Sequence, residues 1–260
     1  MTARDPHEPH RVSTTLELLF DLCFVVAVAG AAAHLHHGIA AGHAAHAVGS
    51  FILVFFAVWW AWMNYTWFAS AYDSDDVPYR LKTLGQMAGA LVLAAGVPRA
   101  FEHQDFSLVT VGYAIMRMMM IAQWLRAASG DPPRRATCRR YAFGIALCQL
   151  GWIAALALPP GWWLAAWFVL APAEVLVPVW AERLAMTTWH PHHIAERYGL
   201  MTIIVLGESV LSATVAIQRA LEAGHASMDL IWLSGGGLVL LFAMWWCYFE
   251  LPTHGPRRSG

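Results

Sequence analysis

Long apolar blocks separated by short polar links dominate the chain. The blocks are each about 20 residues long and run roughly over 16–34, 47–70, 81–98, 106–127, 138–158, 161–180, 198–218 and 229–250. Crossing the hydrocarbon core of a bilayer, about 30 Å thick, takes about 20 mostly apolar residues in a helix. The blocks are too long for barrel strands and do not alternate with a period of two, so helices are predicted. We expect an all-α, polytopic bundle of about eight transmembrane helices over 16–250, with an N-terminal segment, 1–15, and a C-terminal tail, 251–260.

Composition agrees with a membrane protein. Hydrophobic residues make up 58% of the chain and charged residues 13%, whereas a soluble domain carries about 25% charge. The formal net charge is -1, which gives no indication of a nucleic-acid partner. The expected partner is therefore the lipid bilayer.

The distribution of Lys and Arg predicts the orientation. If the N-terminus is cytoplasmic, 13 of the 16 basic residues fall on the inner side. They are Arg4, Arg11, Arg80, Lys82, Arg126, Arg134, Arg135, Arg139, Arg140, Arg183, Arg197, Arg257 and Arg258. Arg99 and Arg219 fall outside, and Arg117 lies within the fourth helix. Positive loops resist translocation, so both termini are predicted to be cytoplasmic.

Ionisable residues at membrane depth indicate function because they are costly there. Glu17 and Asp21 open the first helix and share a face at a spacing of four. One interpretation makes them helix-start acids at a wet interface, stabilised by the helix dipole. The other makes Asp21, a turn deeper, part of a functional site.

Arg117 and Glu208 both fall near the predicted midplane, on the fourth and seventh helices. A lone buried charge costs more than a paired one, so we expect the two to pair directly or through water. Glu174 in the sixth helix is a second candidate partner. The pair could be structural or could take part in transport. In the second helix, Trp59, Trp60 and Trp62 lie too deep for an interfacial belt and are expected to pack in the bundle.

The segment before the seventh helix is rich in histidine. If it is helical, His192 and His193 each share a face with Glu196, and His190 could add a third ligand to a divalent metal. The spacing differs from HExxH, the motif of zinc hydrolases. A wet loop with solvated histidines is the competing interpretation.

The loop between the second and third helices carries Asp73, Asp75 and Asp76, followed by Arg80 and Lys82. The topology places this loop on the same side as Glu17, Asp21 and the histidine segment. A cytoplasmic vestibule of acids, histidines and arginines is therefore predicted, without any indication of which side chains converge.

Three ordered blocks resemble the bacterial low temperature requirement protein A family. Residues 15–25 (TLELLFDLCFV) are similar to its ELFFDLVFV signature. Residues 59–65 (WWAWMNY) and 72–80 (YDSDDVPYR) resemble its second block. Residues 196–209 (ERYGLMTIIVLGES) are similar to its ERFGLFTIIVLGES block.

The resemblance implies a bacterial multi-pass membrane protein named for growth in the cold, and it supplies no reaction. Members are typically longer at the C-terminus, so a shortened member and a truncated reading frame both stay open. The resemblance covers nine polar residues: Glu17, Asp21, Asn64, Asp73, Asp76, Arg80, Glu196, Arg197 and Glu208.

Three functions are compatible with these observations. The first is a transporter or channel for a proton, cation or small polar solute in the bacterial cytoplasmic (inner) membrane. The second is an intramembrane metal-assisted enzyme using His192, His193, Glu196 and the 73–76 loop. The third is a non-catalytic component supporting growth in the cold. No cofactor is predicted, while a divalent metal and a homo-oligomer stay open.

Overall fold

Eight α-helices form the fold in a computed structural model that describes residues 1–6, 8, 11–159, 162–222, 224 and 228–250. They are α1 (Thr15–Ala40), α2 (Ala44–Tyr72), α3 (Val77–His103), α4 (Ser107–Gly130), α5 (Arg135–Ala155), α6 (Trp163–Glu182), α7 (Pro191–Glu222) and α8 (Met228–Phe249). Those described ranges contain no β-strand. The predicted all-α fold and the eight helices are confirmed. Several helices extend beyond the apolar blocks, because a helix continues into polar sequence wherever its backbone groups stay bonded.

Seven of the described helices are long and apolar enough to cross a membrane. The remaining helix, α5, has Arg135, Arg139 and Arg140 in its first two turns, which lower its average hydropathy. Its later residues, from Tyr141, are as apolar as those of the other helices. The chain is a multi-pass membrane protein.

The described chain divides into two compact units, Met1–Arg197 and Tyr198–Gly260. In the first unit α3 packs most extensively against α4, and α1 packs against both α2 and α3. The series continues with α4 on α5 and α5 on α6. The second unit contains α8 and most of α7, with a crevice between them lined by residues that include Leu206, Trp245 and Trp246.

Two caps fix the helix starts that face the predicted cytoplasm. Thr14 and Glu17 form a capping box, in which Thr14 Oγ1 accepts from Glu17 N at 3.3 Å and Glu17 Oε2 accepts from Thr14 N at 2.8 Å. Asp76 caps α3 by accepting from Tyr79 N at 3.0 Å. Both caps satisfy backbone N–H groups that have no partner within the helix.

Glycines allow α3 and α4 to approach closely. A Cβ added to Gly112 would lie 2.4 Å from the backbone nitrogen of Leu93. One added to Gly89 would lie 2.8 Å from the backbone oxygen of Gly112. Small residues at such a crossing let backbones pack directly, as expected for helix association in a membrane.

Candidate functional site

The first buried polar group joins α1 to the start of α7. Glu17 and His193 are both fully shielded from solvent, and Glu17 Oε1 lies 3.1 Å from His193 Nε2. The two atoms lie within ion-pair distance without aligned hydrogen-bond geometry, and neither has another partner within the described chain. Glu17 is thus both a helix-start acid and a member of a buried cluster.

Asp21, one turn deeper, forms the second part of this cluster. Its Oδ1 accepts from Arg197 Nη2 and from Trp62 Nε1, each at 2.7 Å. Asp21 and Arg197 have no exposed side-chain surface. Among the described residues, Asp21 Oδ2 and Arg197 Nε and Nη1 lack hydrogen-bond partners. The four side chains of Glu17, Asp21, His193 and Arg197 are named here the inner cluster.

The N-terminal segment covers the same end of the bundle. Arg4 N donates to Ala71 O at 2.9 Å, and the buried Arg11 donates Nη2 to Ala69 O at 2.9 Å. Ser13 N donates to Glu196 Oε1 at 3.1 Å. These contacts tie residues before α1 to the end of α2 and the second turn of α7.

Asp73 adds a buried carboxyl beside this segment. It is 5% exposed, and its Oδ1 accepts from Asp75 N at 2.9 Å. Burial raises the pKa of Asp73 above its usual value, and the negative charge of Glu17 acts in the same direction. The charge of Arg11 opposes the shift. The electrostatics of Asp73 are therefore coupled to those of the inner cluster.

A second buried ion pair joins α4 to α6. The Arg117 guanidinium pairs with Glu174, and the two side chains are 2% and 0% exposed. Glu174 Oε2 also accepts from Trp60 Nε1 at 2.9 Å, and Oε1 accepts from Trp152 Nε1 at 3.3 Å. Arg117 Cζ lies 5.2 Å from the centre of the Tyr113 ring, a cation–π distance. We call Arg117 and Glu174 the central pair, and Trp60 and Trp152 its donors.

The structure gives Arg117 the second of its two candidate partners. Arg117 pairs with Glu174 because α4 and α6 both pack on α5, which brings their inward faces together. Glu208, the partner expected first, belongs to the second unit, where it accepts from Ser212 Oγ at 3.2 Å. A functional role for Glu208 stays a prediction.

An aromatic pocket adjoins the central pair on the predicted outer side. Its lining includes Phe106, Tyr113, Trp152, Trp163 and Trp167. The Tyr113 hydroxyl lies beside the Glu174 carboxylate. It has no aligned hydrogen bond, and the buried indole N–H groups of Trp163 and Trp167 have no partner within the described ranges. The outer pocket therefore contains buried donor groups that have no acceptor among the described residues.

A larger groove of about 800 Å³ lies on the predicted inner side. Its lining includes Trp59, Trp60, Asn64, Trp67, Trp124, Tyr141, Glu182, Arg183, Thr187 and Trp189. Asn64, a candidate from the sequence, donates Nδ2 to Trp60 O at 2.8 Å. The outer pocket and this inner groove each include one of the tryptophans that donate to Glu174.

Other candidate residues lie apart from these groups. Arg80 pairs with Asp75 at 2.7 Å, and both side chains are more than half exposed. Asp76 pairs with Arg126, which holds the pKa of Asp76 well below its usual range. The predicted vestibule is therefore only partly assembled, with Asp73 joining it and Asp76 and Arg80 outside it.

The proposed metal ligands are not brought together. His190 Nδ1 accepts from His193 N at 3.3 Å, and His190 Nε2 contacts Glu8 O at 2.9 Å. His193 faces Glu17, and His192 is exposed. In the described part of the chain, no three His, Cys, Asp or Glu residues are grouped so that they could hold a metal ion.

The donors that complete both buried pairs were not predicted from the sequence. Trp59, Trp60 and Trp62 were expected to pack in the bundle; Trp60 and Trp62 are buried, at 3% and 1% exposure, whereas Trp59 is 38% exposed. An indole N–H has donor capacity only and needs an acceptor when buried, so a tryptophan inside an apolar block, Trp152 included, is a candidate donor. Arg11, which precedes the first apolar block, carried no such signal.

Comparisons with known proteins give a matching family and a related protein. A family model described as "Bacterial low temperature requirement A protein" matches residues 12–259. An uncharacterized protein of Rhizobium meliloti is 29% identical over 243 residues, which cover 90% of this chain and 57% of that protein. The chain thus spans little more than half the length of this relative. No solved structure matches.

Proposed function

The chain belongs to the bacterial low temperature requirement A family and spans the membrane several times, and on these premises we propose that it is a transporter or channel. The proposed substrate class is a proton, a cation or a small polar solute, and the proposed location is the bacterial cytoplasmic (inner) membrane. The passage runs through the first unit, between α2, α4, α5 and α6.

One observation carries the proposal. The outer pocket includes Trp152 and the inner groove includes Trp60, and these two indoles donate to opposite oxygens of Glu174. Each cavity is therefore linked to the same buried ion pair by one tryptophan side chain. Intramembrane charges commonly mark such pathways.

The hydrogen-bond inventory of the central pair is unequal. Both oxygens of Glu174 are used, whereas Arg117 Nε and Nη1 have no partner within the described residues. Spare donors of a buried guanidinium can bind water or a polar solute without dissolving the ion pair. A buried ion pair that can still bind water is more compatible with a passage that opens and closes than with a permanently open pore.

The charges of the inner cluster favour a proton or another cation at the cytoplasmic end. The inner cluster contains the buried acids Glu17 and Asp21 and the buried cation Arg197, and Asp73 and Arg11 lie buried beside it. Arg11 interacts electrostatically with Glu17 and Asp73. Three carboxyl groups thus lie buried beside two guanidinium groups, so this end of the bundle holds more acids than permanent cations.

Purified protein in proteoliposomes tests the proposal. Proton, alkali-cation and ammonium fluxes are compared with those of protein-free liposomes, under both an imposed pH gradient and an imposed potential. We expect measurable flux that Glu174→Gln reduces at least tenfold while helix content and elution from size exclusion stay unchanged. Glu102→Gln, on an exposed carboxyl near the outer end of α3, is the matched control and should retain full flux.

Two results would contradict the proposal. The first is the absence of any flux above protein-free liposomes. The second is full flux from a folded double variant, Arg117→Met with Glu174→Leu, since that result would make the central pair a structural contact only.

A further inference from the structure

Glu182 is the acidic group of the inner groove, and its partners among the described residues are uncharged. Its Oε1 accepts from Tyr141 OH at 2.9 Å and from Thr187 Oγ1 at 2.8 Å, and Oε2 accepts from Thr187 N at 2.8 Å. All three donors are neutral. In the described part of the chain, no Lys, Arg or His forms an ion pair with Glu182.

The remaining lining of the groove is strongly aromatic. Trp67 and Trp189 lie with ring centres 4.8 Å apart, and Trp124 stacks on Tyr141 with centres 4.0 Å apart. Trp59 adds a ring that is 38% exposed. The faces of indole and phenol rings carry negative potential and attract cations.

We propose that the inner groove is a binding site for an organic ammonium cation, held by the carboxylate of Glu182 and the faces of Trp59, Trp67 and Trp189. This inference rests on the proposed function and names the substrate class within it. A volume of about 800 Å³ lies within the range of small-molecule sites, about 300–1,000 Å³. An alkylated ammonium fits the lining because it offers positive charge and apolar surface together. An alkali cation fits less well, because it would have to shed its hydration shell in a groove lined mainly by aromatic rings.

Arg183 supplies an internal check of the sign of the ligand's charge. Its side chain is exposed at the rim of the groove, on the predicted cytoplasmic side. A guanidinium there repels a bound cation and attracts a bound anion. Removing it should therefore strengthen the binding of an ammonium ligand and weaken that of an anionic lipid headgroup.

Equilibrium binding of radiolabelled choline to the full chain in detergent micelles tests the site. Its neutral isostere, 3,3-dimethyl-1-butanol, is the competing ligand. We expect choline to bind and the isostere to compete at least tenfold less well, because it has the same shape without the charge. Trp59→Leu removes one aromatic face and should weaken choline binding about three- to tenfold. Glu182→Gln should weaken it at least tenfold, and Arg183→Gln should strengthen it.

A control variant tests whether choline binding depends on tryptophans of the groove or on any exposed tryptophan. Trp162 is 62% exposed and outside the groove, so Trp162→Leu should leave choline binding unchanged. Trp59→Leu keeps the test usable if Glu182→Gln fails to fold, because the Trp59 ring is partly exposed.

Three results would overturn the inference: choline that does not bind, choline and its isostere competing equally, or Arg183→Gln weakening binding while phosphatidylglycerol displaces the probe. The last result would assign the groove to an anionic lipid. Failure of the proposed function is a separate outcome, since choline binding with these variant effects can persist in a protein that shows no flux.

Discussion

Trp60 and Trp62 lie two positions apart on α2 and donate their indole N–H groups to different buried carboxylates. Trp60 donates to Glu174 at 2.9 Å, and Trp62 donates to Asp21 at 2.7 Å. Residues two apart on a helix point in nearly opposite directions. One short segment of α2 therefore stabilises both the central pair and the inner cluster.

Replacing either tryptophan by phenylalanine should destabilise the protein by about 1.5–3 kcal/mol, because each removes a hydrogen bond to a charged group. Trp59→Phe, at a partly exposed ring on the same helix, removes a similar area without losing either hydrogen bond and should cost much less. Unfolding in mixed micelles measures all three. Equal losses would show that ring size, rather than the N–H group, matters.

Removing the buried cation Arg197 from the inner cluster should strongly destabilise the folded protein. Arg197→Met leaves Asp21 buried without its ion-pair partner, and breaking one side of a buried pair costs about 3–5 kcal/mol. The double variant Arg197→Met with Asp21→Leu removes both charges and should recover most of that loss. A thermodynamic cycle from unfolding in micelles gives the coupling energy. Additive losses would mean that the contact at 2.7 Å contributes nothing to stability.

The number of helices and the fold class could be predicted, because the positions and lengths of the eight apolar blocks are local properties of the sequence. The residues of the site could be predicted only in part. Glu17, Asp21 and Arg117 were recognised because a charge in an apolar block is costly wherever it lies. Their partners depend on helix rotation and packing, so Glu208 was preferred to Glu174, and His193 was considered as a metal ligand or a solvated loop residue rather than as a buried neighbour of Glu17.

Asp73 should be destabilising when ionised. Burial raises its pKa in the folded protein, so the folded state binds more protons than the unfolded state between an unfolded pKa of about 3.9 and the higher folded value. Stability contributed by the protonated form is therefore present below about pH 4 and lost as the pH rises through the folded pKa. Asp73→Asn should be more stable than the native protein at pH 7, with a gain that disappears towards pH 3. Asp75→Asn is the control, because Arg80 lowers the pKa of Asp75, and a gain at pH 7 in that variant would contradict the argument.

Asp76 should behave in the opposite sense. Its pKa is lowered by Arg126, so its stabilising effect is present above about pH 4, the unfolded value, and is lost as the pH falls towards the folded one. Asp76→Asn keeps the cap on Tyr79 N and should flatten the acid limb of the stability curve. Asp76→Ala also removes the cap and should cost about 1 kcal/mol more at pH 7. Thermal unfolding of the native protein and the two variants from pH 3 to pH 7 measures both effects. If Asp76→Asn loses as much stability at low pH as the native protein, the ion pair with Arg126 is not the cause of that loss.

The crossing of α3 and α4 should tolerate no added methyl group at Gly112. A Cβ there would meet the backbone of both Leu93 and Gly89 at 2.4–2.7 Å, and backbone atoms cannot rotate away, so Gly112→Ala should cost about 3 kcal/mol, the upper end for overpacking. Gly85→Ala meets only the flexible side chain of Met119 at 3.0 Å and should cost far less. Gly30→Ala meets nothing within 4 Å and should stabilise α1 by up to about 1 kcal/mol, because alanine is the better helix former. Unfolding in micelles ranks the three variants. Since α4 also carries Arg117, Gly112→Ala should also reduce the flux proposed above, and a stable Gly112→Ala protein with unchanged flux would show that the two helices can separate without disturbing the central pair.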